Sequence, residues 1–173
     1  MGNDKSKLSY NVPPISPSAR PIDLNKYKGQ WYEYMRTDNN FQDEHDINTK
    51  AYYGLVYDET EQSHYVSIKN VTTRNGKRKE WNSVGHPLNK ENTQLEIQTF
   101  LFFTGQYWII DFGLSLDETQ YEWILVSTPQ RKSAWLLTRS KECFTEFFKQ
   151  EMCEVLVKYH FDPRAFRLTY HEP

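Results

Sequence analysis

From residue 29 onward the chain alternates apolar and polar residues with a period of two, which is typical of half-buried β-strands. Short polar turns separate the runs, and the Asn75-Gly76 pair favours a type I′ hairpin turn. The predicted strands cover residues 31–36, about 47–57, 64–73, 80–88, 93–102, 107–112, 121–128 and 132–139. Strands of similar length with short connections predict an all-β fold, an eight-stranded antiparallel up-and-down barrel with room for one small ligand.

The hydrophobic period changes to that of a helix over residues 142–158. Phe144, Phe148, Met152 and Leu156 recur at helical spacing, so we expect one C-terminal α-helix whose apolar side packs against the outside of the barrel. Residues 161–165 interrupt the helical pattern, and residues 166–170 predict a short final strand.

The first twenty residues show neither period. They are polar and contain Pro13, Pro14 and Pro17, which predicts a flexible N-terminal arm over residues 1–20. Residues 21–27 predict a short helical turn with Asp23 or Asn25 as its N-cap. The remaining residues, 21–173, are expected to form one barrel domain.

Composition narrows the classes of function. The 21 Lys and Arg residues are balanced by 23 Asp and Glu residues, so the sequence predicts no nucleic-acid partner. No apolar run is long enough to predict a membrane-spanning helix. Aromatic residues make up 16% of the chain, which favours strands and suits an apolar pocket.

The two cysteines, Cys143 and Cys153, both fall within the predicted helix. Ten residues along a helix span about 15 Å, which is too far for a disulfide bond. We therefore expect free thiols, which suit a reducing compartment, although secreted proteins without disulfides also exist.

The N-terminal residues carry no apolar stretch, so no signal peptide is predicted. The sequence Met1-Gly2 followed by Ser6 matches the N-myristoylation pattern, which makes Gly2 a candidate lipidation site. A chance match to this short pattern is the alternative. The expected localisation is cytoplasmic or peripheral to a membrane, with a membrane surface as a candidate partner.

The sequence offers no signature of catalysis. It contains no Gly-x-Ser-x-Gly elbow, no phosphate-binding loop and no Cys/His metal cluster. We therefore predict that the protein is not an enzyme and that it uses neither a cofactor nor a metal. Glu33 has two interpretations, a structural partner at the barrel floor or a catalytic base, and the structural one is favoured.

Three motifs stand at matching places in the chain: Gly29-Gln30-Trp31, Glu118-Thr119-Gln120-Tyr121, and Arg139 after Trp135-Leu136-Leu137-Thr138. Their order, followed by one helix and a final strand, resembles the lipocalins over residues 22–172. The second motif keeps the family's Tyr but departs from its usual Asp. Further phrases such as Gly105-Gln106-Tyr107-Trp108 and Phe161-Asp162-Pro163-Arg164 are most similar to the bacterial lipocalin, plant temperature-induced lipocalin and apolipoprotein D group.

The resemblance implies a structural floor at the closed end of the barrel. Trp31 is expected to lie across this end, with Arg139 stacked on its indole, where a planar cation–π contact is favourable. Gly29 belongs to the same motif. Because alternate residues of a strand share a face, Trp135 and Leu137 should point into the barrel together with Arg139.

The same alternation predicts the remaining ligand-binding positions. The predicted ligand-binding residues are Trp135, Leu137, Trp123, Tyr121, Leu125, Tyr107, Ile109, Met35, Tyr53, Tyr65, Trp81 and Ile97. The loop over residues 38–46 is expected to lie over the mouth.

The resemblance implies non-catalytic carriage of a small hydrophobic ligand, such as a fatty acid or lysophospholipid, by a monomer or weak dimer. The alternatives are a membrane-associated stress-response or interaction protein anchored through a myristoylated Gly2 and, less favoured, a lipocalin-type isomerase.

Overall fold

The computed structural model describes residues 12–99 and 104–173. Within these residues, two α-helices, α1 (Leu24–Tyr27) and α2 (Glu146–Lys158), and a short 3₁₀-helix (Pro163–Ala165) accompany one sheet. Its strands are β1 (Gly29–Thr37), β2 (Ile47–Asp58), β3 (Ser63–Arg74), β4 (Lys77–Pro87), β5 (Gln94–Thr99), β6 (Thr104–Leu114), β7 (Tyr121–Ser127), β8 (Ala134–Thr138) and β9 (Phe166–Leu168). The predicted fold class is confirmed: strands β1 to β8 form a closed antiparallel barrel with one helix outside and one extra strand.

The barrel closes through β1, which pairs with strands on both of its edges. Along one edge it pairs with β8, and along the other its first half pairs with β2 while its second half pairs with β9. The C-terminal segment therefore lies where β2 diverges from β1. The Asn48 N–H of β2 donates to the Tyr170 carbonyl at 2.8 Å, so the segment after β9 also contacts β2.

Asn75 and Gly76 form the β3–β4 turn with φ of 51° and 70°. Positive φ at both central residues is the requirement of a type I′ turn, so the hairpin prediction is confirmed. Asp23 caps α1 by accepting a hydrogen bond from the Asn25 N–H, as one of the two predicted alternatives.

The closed end of the barrel is built around Trp31, which is fully buried. The Arg139 guanidinium lies 3.9 Å from the centre of the Trp31 ring, and Arg139 also donates to five backbone carbonyls at 2.6 to 3.2 Å. Three of those carbonyls belong to the end of α1 and the residue after it, where carbonyls lack partners within the helix. Gly29 has φ of +112°, and a Cβ there would lie 3.0 Å from an Arg139 nitrogen.

A second core lies outside the barrel wall, under α2. Phe148, Met152 and Leu156 of α2 are buried against it. The helix begins later than predicted, at Glu146, because the Thr145 side chain caps it by accepting from the Phe148 N–H. Cys143 consequently lies in the turn before α2 and not in the helix with Cys153; both thiols are free.

The described part of the predicted N-terminal arm packs against the barrel. Ile15 is buried in the outer core, and the Ser18 N–H donates to the Ile109 carbonyl at 2.8 Å. Arg20 contacts Asp111 at 2.6 Å and lies over the Phe112 ring. Asp111 also accepts from the Tyr159 hydroxyl at 2.7 Å, which ties this segment to the end of α2.

Candidate functional site

A cavity of about 530 Å³ lies inside the barrel above the floor. Its size falls in the range of small-molecule sites. The bordering residues come from seven strands and from the loop between β1 and β2: Glu33, Asn40, Phe41, Gln42, Thr49, Lys50, Ala51, Tyr53, Ile68, Asn70, Trp81, Ser83, Ile97, Thr99, Gly105, Gln106, Tyr107, Trp135 and Leu137.

One wall of the cavity is a column of nearly parallel aromatic rings. Phe41 stacks on Trp135 with ring centres 5.9 Å apart and an interplanar angle of 21°. Trp135 in turn stacks on Tyr107 at 6.3 Å and 28°. The column runs from the loop toward the interior and offers flat apolar surface to a ligand.

The loop between β1 and β2 is fastened over the cavity by Gln42. Its side-chain oxygen accepts from the Trp135 indole N–H at 2.7 Å, and its nitrogen donates to the Glu33 carboxylate at 2.6 Å. At the end of the loop, the buried Asp46 carboxylate forms a bidentate pair with Arg74 at 2.7 and 2.8 Å. The expectation that residues 38–46 lie over the mouth agrees with this position.

Glu33 is a buried carboxylate with a full set of partners. Besides Gln42, it accepts from the Thr169 hydroxyl at 2.6 Å and lies 3.3 Å from the buried Arg36 guanidinium. Burial raises the pKa of Glu33 above its usual 4.5, and the hydrogen bonds from Thr169 and Gln42 and the charge of Arg36 oppose this rise. These contacts fit the structural interpretation of Glu33.

Three tyrosines, Tyr27, Tyr53 and Tyr107, meet at the inner end of the cavity and are called the tyrosine cluster below. The Tyr107 hydroxyl lies 3.4 Å from that of Tyr27 and 3.3 Å from that of Tyr53. Tyr27 and Tyr53 stack with ring centres 4.8 Å apart. Burial raises the pKa of all three phenols, so they are uncharged at neutral pH.

Half of the predicted ligand-binding positions border this cavity. They are Trp135, Leu137, Tyr107, Tyr53, Trp81 and Ile97. Tyr121 and Ile109 also point into the barrel but lie lower, in the core that contains Trp31. There the Tyr121 hydroxyl accepts from the Asp23 N–H at 2.8 Å, so this side chain supports the floor and not the cavity wall.

Trp123, Leu125 and Met35 were predicted to face the cavity and instead belong to the outer core under α2. The physical reason is a β-bulge, which places an extra residue in one strand and reverses the alternation beyond it. Glu122 is the extra residue in β7, since Trp123 pairs with Gly113 while Tyr121 pairs with Leu114. An equivalent irregularity between Glu33 and Met35 turns Met35 outward.

Tyr65 was also predicted to face the cavity and lies outside it, against His86. Ile68 pairs directly with Tyr53, and residues opposite each other in an antiparallel pair share a face of the sheet. The inward residues of β3 are therefore Val66, Ile68 and Asn70. The apolar alternation of Val66 and Ile68 with Ser67 and Lys69 was the sequence signal for this register.

Phe41, Gln42 and Asn40 were missed as individual cavity residues. They lie in a loop, where no hydrophobic period assigns a direction to a side chain. Gly2 lies outside the described residues, so its lipidation stays a prediction.

A second depression, of about 650 Å³, lies outside the barrel between residues 13–20 and the C-terminal end of α2. Its charged residues include Arg20 and Lys158, which both pair with Asp111. The barrel cavity, with its aromatic wall, is the better candidate for binding an apolar ligand.

Within residues 12–99 and 104–173, no group of His, Cys, Asp and Glu side chains is arranged to hold a metal ion. In the same residues, no helix has both the length and the apolar character that crossing a membrane requires.

Comparison with known proteins identifies related sequences and folds. A lipocalin-like domain model matches residues 22–169. Temperature-induced lipocalin-1 of Arabidopsis thaliana is 24% identical over 141 residues, which are 76% of this chain and 70% of that protein.

Solved structures share the fold at lower identity. Apocrustacyanin C2 is 15% identical with a TM-score of 0.68, over 93% of this chain and 91% of that one. Insecticyanin from the tobacco hornworm Manduca sexta is 17% identical with a TM-score of 0.65, over 91% and 85% of the two chains. The cockroach allergen Per a 4 is 20% identical with a TM-score of 0.63, over 91% and 94%. At these identities the structural matches show the fold alone.

Proposed function

The chain belongs to the lipocalin family, and we propose from its cavity that it binds one acyl-chain lipid, such as a fatty acid or lysophospholipid, without transforming it. The family binds small hydrophobic ligands. The choice of an acyl-chain lipid is supported by a cavity of about 530 Å³ that extends from the loop to the tyrosine cluster.

The aromatic column carries this proposal. Trp135 lies between Phe41 and Tyr107, and its indole N–H is already bonded to Gln42. Because its polar atom has a protein partner, the rest of the ring is left for apolar contact with a ligand.

The proposal that the protein carries its ligand unchanged rests on the partners of Glu33. Gln42, Thr169 and Arg36 engage this carboxylate, which is the one acidic side chain among the described residues that border the cavity. A general base needs a carboxylate oxygen within reach of a substrate proton, whereas both carboxylate oxygens of Glu33 already accept hydrogen bonds from the protein. The test is to incubate each bound lipid with the protein and compare its mass before and after; a converted product would contradict carriage.

Trp135→Ala tests the site. We expect about a tenfold weaker binding of laurate or a lysophospholipid, because the substitution removes the central ring of the column. Native mass spectrometry suits the measurement, since it does not depend on the fluorescence of the tryptophan that is removed.

Trp123→Ala is the matched control, because Trp123 lies in the outer core. It should lower stability and leave the affinity within about twofold of the wild type when measured well below the melting temperature. Equal loss of affinity in both variants, or no binding of any lipid in a panel by the wild type, would refute the assignment of the cavity.

A further inference from the structure

In the described part of the chain, the hydroxyl groups of the tyrosine cluster bond only to one another. Three phenols carry three O–H hydrogens, and each oxygen can also accept. Tyr107 contacts both Tyr27 and Tyr53, and the Tyr27 and Tyr53 hydroxyls are also hydrogen-bond partners of each other. Among the residues that the structure describes, no side chain or carbonyl outside the cluster accepts from these hydroxyls, so the three hydrogens are shared among the three phenol oxygens alone.

The contacts of Tyr107 with Tyr27 and Tyr53 are long. Distances of 3.3 and 3.4 Å exceed the usual 2.5 to 3.0 Å of an O–H···O hydrogen bond. Tyr53 and Tyr107 border the cavity, whereas Tyr27 lies beneath them against Trp31. The hydroxyls of Tyr53 and Tyr107 can therefore turn toward a ligand atom in the cavity, and giving up such long contacts costs little free energy.

The charges near the cavity favour an uncharged partner for these donors. Arg139 stacks on Trp31 and is directed to backbone carbonyls, and Arg36 is paired with Glu33. Lys50 borders the cavity, but its ammonium lies over the ring of Tyr32. Tyr32 follows the inward-facing Trp31 and so faces outward, which directs the Lys50 ammonium away from the cavity.

Arg139 has no acidic partner among the described residues, but it lies beneath the cluster, does not border the cavity and uses its N–H groups on backbone carbonyls. The Glu33 carboxylate does border the cavity, and its negative charge acts on Tyr53 and opposes a second anion there. Burying a carboxylate without a counter-ion is far costlier than burying a carbonyl that receives a hydrogen bond.

We propose that the tyrosine cluster binds the end group of the ligand and that this group is an uncharged hydrogen-bond acceptor, such as the carbonyl of an ester, ketone or amide. The inference rests on the proposed function and adds to it the chemistry of the group that enters deepest. An ester of a fatty acid would place its carbonyl at the cluster, whereas a free fatty acid would have to keep its carboxylate near the mouth.

The experiment compares three probes with the same chain: methyl laurate, laurate and dodecane. Each displaces the uncharged fluorophore N-phenyl-1-naphthylamine from the wild type and from Tyr107→Phe. We expect Tyr107→Phe to weaken methyl laurate by about three- to tenfold, which corresponds to one lost hydrogen bond, and to change dodecane by less than about twofold. Laurate should follow dodecane and not the ester.

Two further variants make the result interpretable. Tyr53→Phe keeps the contact between Tyr27 and Tyr107 and should reproduce the selective loss if Tyr107→Phe folds poorly. Tyr65→Phe removes a phenol on the outside of the barrel and should change none of the affinities.

The outcomes separate the two proposals. If both cluster variants leave the ester-to-dodecane ratio unchanged, the end-group inference is overturned while lipid binding stands. If laurate binds more tightly than the ester and loses this advantage in Tyr107→Phe, the cluster binds an anion and the inference is wrong. If no probe displaces the fluorophore from the wild type, the inference and the proposed function fail together.

Discussion

Replacing Arg139 by alanine is expected to lower the free energy of unfolding by about 4 kcal/mol. Stacking of the guanidinium on Trp31 at 3.9 Å, partly removed from water, accounts for about 2 kcal/mol. The hydrogen bonds to the carbonyls of residues 26, 27, 28, 30 and 121 add about 2 kcal/mol net, since water replaces some of them after the substitution.

Urea unfolding followed by circular dichroism measures this loss, and for a chain of this length it corresponds to a fall in melting temperature of about 10 °C. Arg78→Ala is the matched control, because Arg78 is a largely exposed partner of Glu80 and should cost less than about 0.5 kcal/mol. Arg139→Lys keeps the charge but loses the planar fork, so it should recover less than half of the stability.

A loss below about 1 kcal/mol in Arg139→Ala, similar to that of the control, would refute the argument that this residue holds the floor together. Lipid affinity supplies a second criterion. Arg139 does not border the cavity, so the folded variant should bind within about threefold of the wild type, in contrast to Trp135→Ala.

Three other substitutions test the neighbouring features. Gly29→Ala should cost about 2 kcal/mol, because φ is +112° and the added Cβ meets Arg139; an unchanged urea midpoint would contradict this. Burial raises the pKa of Glu33 above 4.5 in the folded chain, so the folded protein holds this proton more tightly than the unfolded chain does. The contribution of Glu33 to the free energy of unfolding therefore falls as the pH rises from the unfolded pKa through the raised folded pKa. Glu33→Gln should lack this fall, and a difference in urea midpoint between variant and wild type that does not change with pH would disprove it. Asp111→Asn should lower stability by about 1 to 2 kcal/mol and expose residues 12–20 to protease, since Asp111 joins this segment to Tyr159; unchanged cleavage kinetics would argue against that role.

The strands and their order could be predicted from the sequence because each strand has a local signal, and the floor because its motifs resemble those of the lipocalins. Alternation with a period of two marks β2 to β4, Asn75-Gly76 marks their hairpin, and the motifs around Trp31 and Arg139 indicate the closed end. Trp135 and Leu137 were oriented correctly because Arg139 directly follows their strand β8 and its direction is determined by the floor.

The direction of Trp123, Leu125 and Met35 was decided by the tertiary structure. The bulges at Glu122 and between Glu33 and Met35 arise from how the neighbouring strands twist and pair when the barrel closes. The sequence of a single strand contains no information about the register of its partner. A prediction that continues the period of two past a bulge therefore assigns every later side chain of that strand to the wrong face.

The polar chemistry of the cavity was likewise decided by tertiary contacts. Tyr27, Tyr53 and Tyr107 are up to eighty residues apart in the chain, and their hydroxyls meet because α1, β2 and β6 converge inside the barrel. Gln42 lies in a loop without a period and is positioned by Trp135 and Glu33. The sequence by itself thus determined the strands of a barrel, because burial of alternating apolar residues is a local property of each strand, and the motifs that resemble the lipocalins indicated its floor. Which polar groups face the ligand was decided only when strands distant in sequence came together.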